Sequence, residues 1–207
     1  MRGCSCGVWI GIISCNSPLF RVSFITQLTI CISKVLGLLA SGYRKEAVRI
    51  IGQQVMKPRG LIGLAQDTLE CSAAEMREVF DVLADDASYP VVIHCTQGKD
   101  RTGLVVMMVL FLLTTTAVKE EEVLLPPATI AADYVRSEAE LWPEQDERMQ
   151  EILAIGLDEE YAQCPPGFTD AVRTFLDTKY GGTEAYLLSI GLGREKIDRI
   201  RNRLLLL

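Results

Sequence analysis

Apolar side chains recur mainly at helical spacing from residue 42 to the end of the chain. Ser72, followed by Glu75 three positions later, forms a capping-box pattern that predicts the start of a helix. The sequence Pro-Arg-Gly at residues 58–60 predicts a break. The apolar period predicts helical segments over residues 43–55, 62–71, 73–84, 102–113, 130–141, 144–155, 168–178, 183–190 and 194–206.

One short run departs from this period. Residues 91–93 read Val-Val-Ile after Pro90, and a β-branched run that follows a proline predicts a short buried strand. The apolar run over residues 102–113 is too short to cross a bilayer and predicts a buried helix. We therefore expect a strand, a loop and a buried helix in succession.

The first 35 residues are apolar but irregular, and we treat residues 1–35 as an atypical N-terminal segment beside a domain over residues 36–207. The run over residues 22–40 is long enough to cross a membrane. Its apolar positions, however, spread around the helix. We predict a core helix or a poorly specified leader, and no membrane association, because the run contains polar side chains at Ser23, Gln27, Ser33 and Lys34.

Composition narrows the classes of function. The chain has 207 residues, 49% of them hydrophobic and 23% charged, which is typical of a globular domain. Its net charge of -6 argues against a nucleic-acid-binding surface. Seven cysteines without a Cys-x-x-Cys pair, and a single histidine, match no common zinc pattern. We expect no metal or organic cofactor, reduced thiols and a cytoplasmic location.

The single histidine, His94, directly precedes Cys95. Neighbouring side chains on a strand point to opposite faces, so His94 is poorly placed to be the base of Cys95. Cys-His proteases, Ser-His-Asp hydrolases and His-Glu-x-x-His metalloproteases each lack a required group here. We expect His94 to be a core histidine that braces the following loop by hydrogen bonding.

Residues 94–103, called the signature loop below, read His-Cys-Thr-Gln-Gly-Lys-Asp-Arg-Thr-Gly. Five residues separate Cys95 from Arg101, which is enough backbone to surround one tetrahedral oxyanion with inward N–H groups. The helix that follows adds free N–H groups and the positive end of its dipole. Gly98 permits backbone conformations that other residues avoid.

The same positive field predicts a reactive thiolate at Cys95, because helix N-termini and cations lower the pKa of a thiol. A thiolate can attack phosphorus without a general base. Arg101 presents a planar fork to two phosphate oxygens, and Thr102 can donate its hydroxyl to the sulfur. The alternative is a strand–turn–helix corner with an inert buried cysteine, as we expect for Cys71 and Cys164.

The signature loop resembles that of protein tyrosine phosphatases, in particular an atypical branch of tyrosine and serine phosphatase-like enzymes in bacteria and fungi. Residues 98–103 match that branch residue by residue, and weaker similarity extends over residues 36–207. The resemblance implies an α/β fold, a central sheet flanked by helices with a helix-rich C-terminal half. Relatives open with a strand-forming Asn-Phe-Arg-Asp-Leu-Gly-Gly segment that has no counterpart here, so we expect N-terminal strands to be missing.

The resemblance also implies roles for single residues. Cys95 becomes the nucleophile and Arg101 the phosphate clamp. Asp100 becomes the general acid because no Trp-Pro-Asp sequence is present, with Asp67 and Asp133 as alternatives. Lys99 resembles a lysine that meets additional phosphates in phosphoinositide-active relatives, the alternative being a solvated surface lysine. The loop residues are thereby assigned to phosphate binding (Thr96, Gln97, Gly98, Lys99, Thr102) and to loop support (His94, Gly103).

These features predict a cysteine-dependent phosphatase that acts through a phosphocysteine intermediate. Its expected substrates are phosphotyrosine proteins, with phosphoserine, phosphothreonine or phosphoinositides as further options. One alternative is a catalytically impaired phosphate-binding module from a truncated phosphatase, although such modules commonly lose the Cys or Arg of the loop. Another is a rhodanese-like sulfur transferase, whose loop lacks the Asp-Arg-Thr-Gly continuation. The sequence does not indicate an oligomeric state.

Overall fold

The computed structural model describes residues 21–114 and 125–205, with side chains described from residue 31 onward. Most of these residues lie in helices. Three 3-10 turns (Asp86–Ser88, Trp142–Glu144 and Glu159–Ala162) and a π-helical turn (Gly52–Met56) connect some of them. In the described ranges the α-helices are α1 (Arg21–Ala40), α2 (Arg44–Ile51), α3 (Lys57–Cys71), α4 (Ala73–Ala84), α5 (Asp100–Thr114), α6 (Pro127–Glu140), α7 (Gln145–Ala154), α8 (Phe168–Tyr180), α9 (Thr183–Ser189) and α10 (Arg194–Leu205).

Several helix boundaries follow from local sequence. Helix α4 spans the predicted range, although Ser72 makes no side-chain capping hydrogen bond, so the predicted capping box is wrong. Helix α3 is interrupted at Gly60, which has φ 63° and ψ 174°, at the predicted break. Helix α8 ends before Gly181, whose φ of 83° is the left-handed conformation that commonly terminates helices.

Helix α5 forms the centre of the core, as its apolar sequence predicts. Helices α3, α6, α9 and α10 all contact it. Burial of each large apolar side chain contributes about 1.5–3 kcal/mol to the folding free energy. This packing fixes the position of α5, and with it the N-terminus of the helix, where the signature loop ends. The buried side chains of α5 are Leu104, Val105, Met107, Met108, Phe111 and Leu112.

The predicted central sheet is wrong for the described part of the chain, which contains no strand. Residues 91–95 form no regular secondary structure, and Val92 is 82% exposed. The N–H and C=O groups of a strand need a neighbouring strand as hydrogen-bond partner. No described segment provides one, so the β-branched run at residues 91–93 does not become a strand and the fold is helical rather than α/β.

Helix α1 runs through the predicted boundary at residue 35 and packs on α2. Among its described side chains, which begin at residue 31, only Cys31 is buried, whereas Leu36 is 60% exposed, so this part of α1 does not lie in the core as predicted. No helix within residues 21–114 and 125–205 is both long and apolar enough to span a bilayer. The predictions for the first 20 residues lie outside the described residues, and the domain boundary stays a prediction.

Candidate active site

The signature loop connects residues 91–93 to the N-terminus of α5. Helix α5 begins at Asp100, and the Gly103 N–H donates to the Lys99 carbonyl at 2.7 Å in the first turn. Gly98 has φ 70°, and a Cβ atom placed there would meet no atom of the described residues within 4 Å. Glycine is therefore favoured at residue 98 because of its left-handed backbone and not because of limited space.

Cys95 is half-buried at the start of this loop. Burial acts to raise the pKa of its thiol, but hydrogen bonds from the Thr102 hydroxyl and from the backbone of Thr102, Gln97 and Gly98 outweigh it and lower the pKa below its ordinary value. Thr102 Oγ1 is buried and makes no hydrogen bond to a nitrogen or oxygen atom within the described residues, so its proton is available to the sulfur. The loop therefore stabilises a thiolate with several donors at once.

Arg101 reaches back across the loop. Its Nη2 donates to Thr96 Oγ1 at 2.9 Å, and both side chains are exposed. A guanidinium group carries five N–H donors, so most of them remain available on the solvent side. This arrangement joins the two ends of the loop and leaves a charged fork at its open face.

Asp100 occupies the first position of α5, with its side chain 32% exposed. The Tyr134 hydroxyl donates to its Oδ1 atom at 3.0 Å, and Lys99 Nζ lies 3.5 Å from the same atom. Both contacts fall on one carboxylate oxygen. The other oxygen, Oδ2, makes no hydrogen bond within the described residues and is available for proton transfer.

Lys99 is completely buried, so the surface-lysine alternative is wrong. Its Nζ donates to the carbonyl oxygens of Tyr161, at 3.1 Å, and Gln163, at 2.5 Å. The lysine thereby ties the signature loop to the 3-10 turn Glu159–Ala162. A contact with additional phosphates would require the ammonium group to leave both carbonyls.

Arg148 of α7 also contacts the loop, and nothing in its sequence position on an amphipathic helix singles it out. It is 6% exposed, its Nη2 donates to the Ala162 carbonyl at 3.2 Å, and the same atom lies 3.5 Å from Gln97 Oε1. Its Nε has no partner, and no carboxylate within the described residues pairs with it. A buried guanidinium without a counter-ion places positive potential beside the loop. It also lines a cavity of about 100 Å³ next to Trp142.

One predicted residue, His94, is placed differently from the expectation, and the two alternatives to Asp100 do not contact the loop. His94 is exposed, with Nδ1 3.4 Å from the Cys95 carbonyl oxygen, so the core-histidine prediction is wrong because no sheet covers this side. Asp67 forms a two-pronged ion pair with Arg59, whose Nε donates to Asp67 Oδ2 at 2.8 Å. Asp133 is exposed. Neither aspartate makes a hydrogen bond or ion pair with the signature loop within the described residues.

The described cysteines differ in their surroundings. Cys31, Cys71, Cys95 and Cys164 form no disulfide bond within the described residues. Burial raises the pKa of Cys164, whereas the pKa of Cys95 is lowered, so Cys164 matches the inert buried type. The described residues contain no group of three or more His, Cys, Asp or Glu side chains that could hold a metal ion.

Comparison with known proteins shows what this arrangement is similar to. A family model described as "Tyrosine phosphatase family" matches residues 43–206. A protein from Nostoc commune named "Tyrosine-protein phosphatase" is 30% identical over 139 residues, which cover 64% of this chain and 45% of that protein. "Triple specificity protein phosphatase PtpB" of Mycobacterium tuberculosis (strain ATCC 25618 / H37Rv) is 33% identical over 135 residues, which cover 58% of this chain and 45% of that protein. The matched region spans less than half the length of each relative.

Proposed function

The chain belongs to the tyrosine phosphatase family, and on this premise we propose that its signature loop hydrolyses phosphate monoesters through a phosphocysteine intermediate. The resemblance inferred from residues 98–103 is confirmed at the level of the family. The observation that carries the proposal is the set of hydrogen bonds to the Cys95 sulfur, which lowers the pKa of the thiol without a histidine base.

In the first step the Cys95 thiolate attacks phosphorus, and the S–P bond forms as the P–O bond to the leaving group breaks. The electron pair of the broken bond moves to the leaving oxygen. Asp100 Oδ2 donates the proton that this oxygen takes up. Arg101 and the loop N–H groups bind the non-bridging oxygens, whose negative charge they stabilise.

In the second step a water molecule attacks the phosphocysteine, and Asp100, now ionised, accepts its proton. The P–S bond breaks and the sulfur leaves as a thiolate. The hydrogen bond from Thr102 stabilises this leaving thiolate, which returns the site to its starting state.

Phosphotyrosine proteins are the first substrate class that we propose, because a tyrosine phosphatase family model matches most of the chain. The printed name of the Mycobacterium relative, a triple specificity phosphatase, supports a wider range that includes phosphoserine and phosphothreonine. Phosphoinositides are a further option. The exposed Thr96 and Arg101 leave the open face of the loop accessible to a protein-bound phosphate.

A phosphate-binding module without turnover is the second candidate, and one observation favours it. The segment before Cys95 has no neighbouring strand within the described residues, and Val92 is 82% exposed. Val91 and Ile93 pack partly buried against the core, but they make no strand hydrogen bonds within the described residues, so the loop is supported more firmly on its α5 side. Such support is enough to bind an oxyanion, whereas catalysis requires the reacting groups to be held within fractions of an ångström.

The deciding experiment measures phosphate release from a phosphotyrosine peptide and from a phosphoinositide, with wild type beside Cys95→Ser. Cys71→Ser is the matched control, because this half-buried thiol lies outside the loop. Circular dichroism first establishes that all three fold. We expect Cys95→Ser to lose turnover and Cys71→Ser to keep it. A folded wild type that binds vanadate but turns over neither substrate supports the binding module instead.

A further inference from the structure

Tyr134 of α6 joins the signature loop to a second helix. Its hydroxyl donates to Asp100 Oδ1 at 3.0 Å, across 34 positions of sequence. The backbone of Tyr134 lies in the middle of α6 (Pro127–Glu140), so its position is set by helix packing and not by the loop. The contact is therefore imposed on Asp100 from outside the loop.

The Tyr134 ring is held firmly. It is 3% exposed and stacks on Phe168 of α8, with ring centroids 4.6 Å apart and planes 15° from parallel. The ring also packs directly on Gly103, where an added Cβ atom would lie 2.8 Å from Tyr134 Cδ2. These contacts on both sides fix the plane of the ring and so keep the hydroxyl beside Asp100.

The hydroxyl donates to Asp100, and the Cys164 side chain is a second neighbour within hydrogen-bonding reach of it. Burial, and then the charge of Asp100, raise the pKa of Tyr134 far above its ordinary value, so the proton stays on the phenol. Lys99 Nζ approaches the same oxygen at 3.5 Å and is itself held by two backbone carbonyls. Two fixed donors on Oδ1 determine the rotation of the carboxylate and leave Oδ2 to carry the exchanged proton.

We infer that Tyr134 is a positioning residue that orients Asp100 for proton transfer to the leaving oxygen. This inference rests on the proposed function of the signature loop. Tyr134 itself touches neither the nucleophile nor, in this proposal, the substrate. Its loss should therefore affect only the part of the reaction that depends on the proton from Asp100.

Tyr134→Phe removes the hydroxyl and keeps the stacked ring. The probes are phenyl phosphate, whose leaving group needs a proton, and 2,4-dinitrophenyl phosphate, whose leaving group does not. General acid catalysis accelerates a reaction by about 10²–10⁴-fold. We therefore expect Asp100→Asn to lower kcat/KM for phenyl phosphate by about 100-fold. Tyr134→Phe should lower it by about 10-fold, and both variants should stay within about 2-fold of wild type on the dinitrophenyl ester.

Tyr186→Phe is the matched control. The Tyr186 hydroxyl is also buried and donates to the Leu69 carbonyl at 2.8 Å, but it makes no contact with the loop. We expect this variant to leave the ratio of the two rates unchanged. Adding Tyr134→Phe to Asp100→Asn should cause no further loss, because the hydroxyl acts through the carboxylate.

The outcomes separate the two ideas. If Asp100→Asn slows phenyl phosphate selectively but Tyr134→Phe slows both esters equally or neither, the positioning role is overturned and the proposed function stands. If Asp100→Asn has no selective effect, its acid role fails and the positioning role falls with it. If wild type has no turnover, a crystal structure of Tyr134→Phe decides the positioning claim, since an unchanged Asp100 carboxylate rotation contradicts it.

Discussion

The two sides of the signature loop are supported very differently. On the C-terminal side the loop enters α5, whose Met108 is completely buried in the core. On the N-terminal side Val91 and Ile93 are only partly buried against the core, whereas Val92 is 82% exposed and His94 faces solvent. The donors to the Cys95 sulfur come from the loop and from the first turn of α5, so the better supported side supplies part of the stabilisation of the thiolate.

The difference has a simple physical origin. A helix satisfies its backbone hydrogen bonds within its own segment. A strand must find its partners elsewhere in the chain. Helix α5 therefore forms with local hydrogen bonds and local apolar sequence, whereas residues 91–93 depend on a neighbour that the described residues do not supply. An intact motif can thus be anchored more strongly on one side than on the other.

Met108→Ala should have the largest effect on folding free energy, because it removes core packing from α5, which supports the C-terminal side of the loop. Truncation of a fully buried methionine leaves a cavity and costs about 2–5 kcal/mol of folding free energy. Urea unfolding followed by circular dichroism measures this loss. A change below about 1 kcal/mol would show that α5 does not anchor the loop.

Gly103→Ala tests the contact between the first turn of α5 and α6. The added Cβ atom would lie 2.8 Å from the Tyr134 ring, so ring or helix must shift, at a cost of about 1–3 kcal/mol. Thermal unfolding measures this cost. Gly193→Ala is a suitable control, because an added Cβ atom there meets nothing within 4 Å. If Gly103→Ala and Gly193→Ala lowered the stability equally, the close packing of Gly103 on the Tyr134 ring would be contradicted.

Thr102→Val removes one donor to the sulfur and keeps the shape of the side chain. A hydrogen bond of this kind stabilises its acceptor by about 1 kcal/mol. Loss of this bond raises the pKa of Cys95, because the thiolate is then stabilised less. The alkylation rate by iodoacetamide, which follows the thiolate fraction, should then rise at higher pH than in wild type. At neutral pH the variant should react more slowly. A pH profile identical to that of wild type would exclude Thr102 as a donor.

Val92→Thr should have the smallest effect on folding free energy. It tests the N-terminal side of the signature loop, which is the less supported one. Substitution of an exposed side chain outside regular structure usually changes the folding free energy by less than about 0.5 kcal/mol. Urea unfolding alongside Met108→Ala is the direct measurement. A loss above about 2 kcal/mol would mean that residue 92 is covered in solution, and that the two sides are supported alike.

Much of the helical framework was predictable because helix formation is local. The period of apolar residues predicted the segment of α4, the buried character of α5 and the stop at Gly181. The predicted strand was wrong because β-propensity describes a fit to a neighbouring sheet, and the sequence does not show whether that neighbour exists. The buried place expected for His94 was wrong for the same reason.

The sequence by itself determined the spacing of Cys95 and Arg101, the glycine between them, the helix that follows and the family of the chain. These features are local, because neighbouring residues and backbone conformation set them. Only the tertiary structure decided that Lys99 is buried, that Tyr134 donates to Asp100 and that Arg148 lies beside Gln97 with no ion-pair partner among the described residues. Those contacts depend on how distant helices pack, and packing is settled by the fit of many side chains together rather than by any one stretch of sequence.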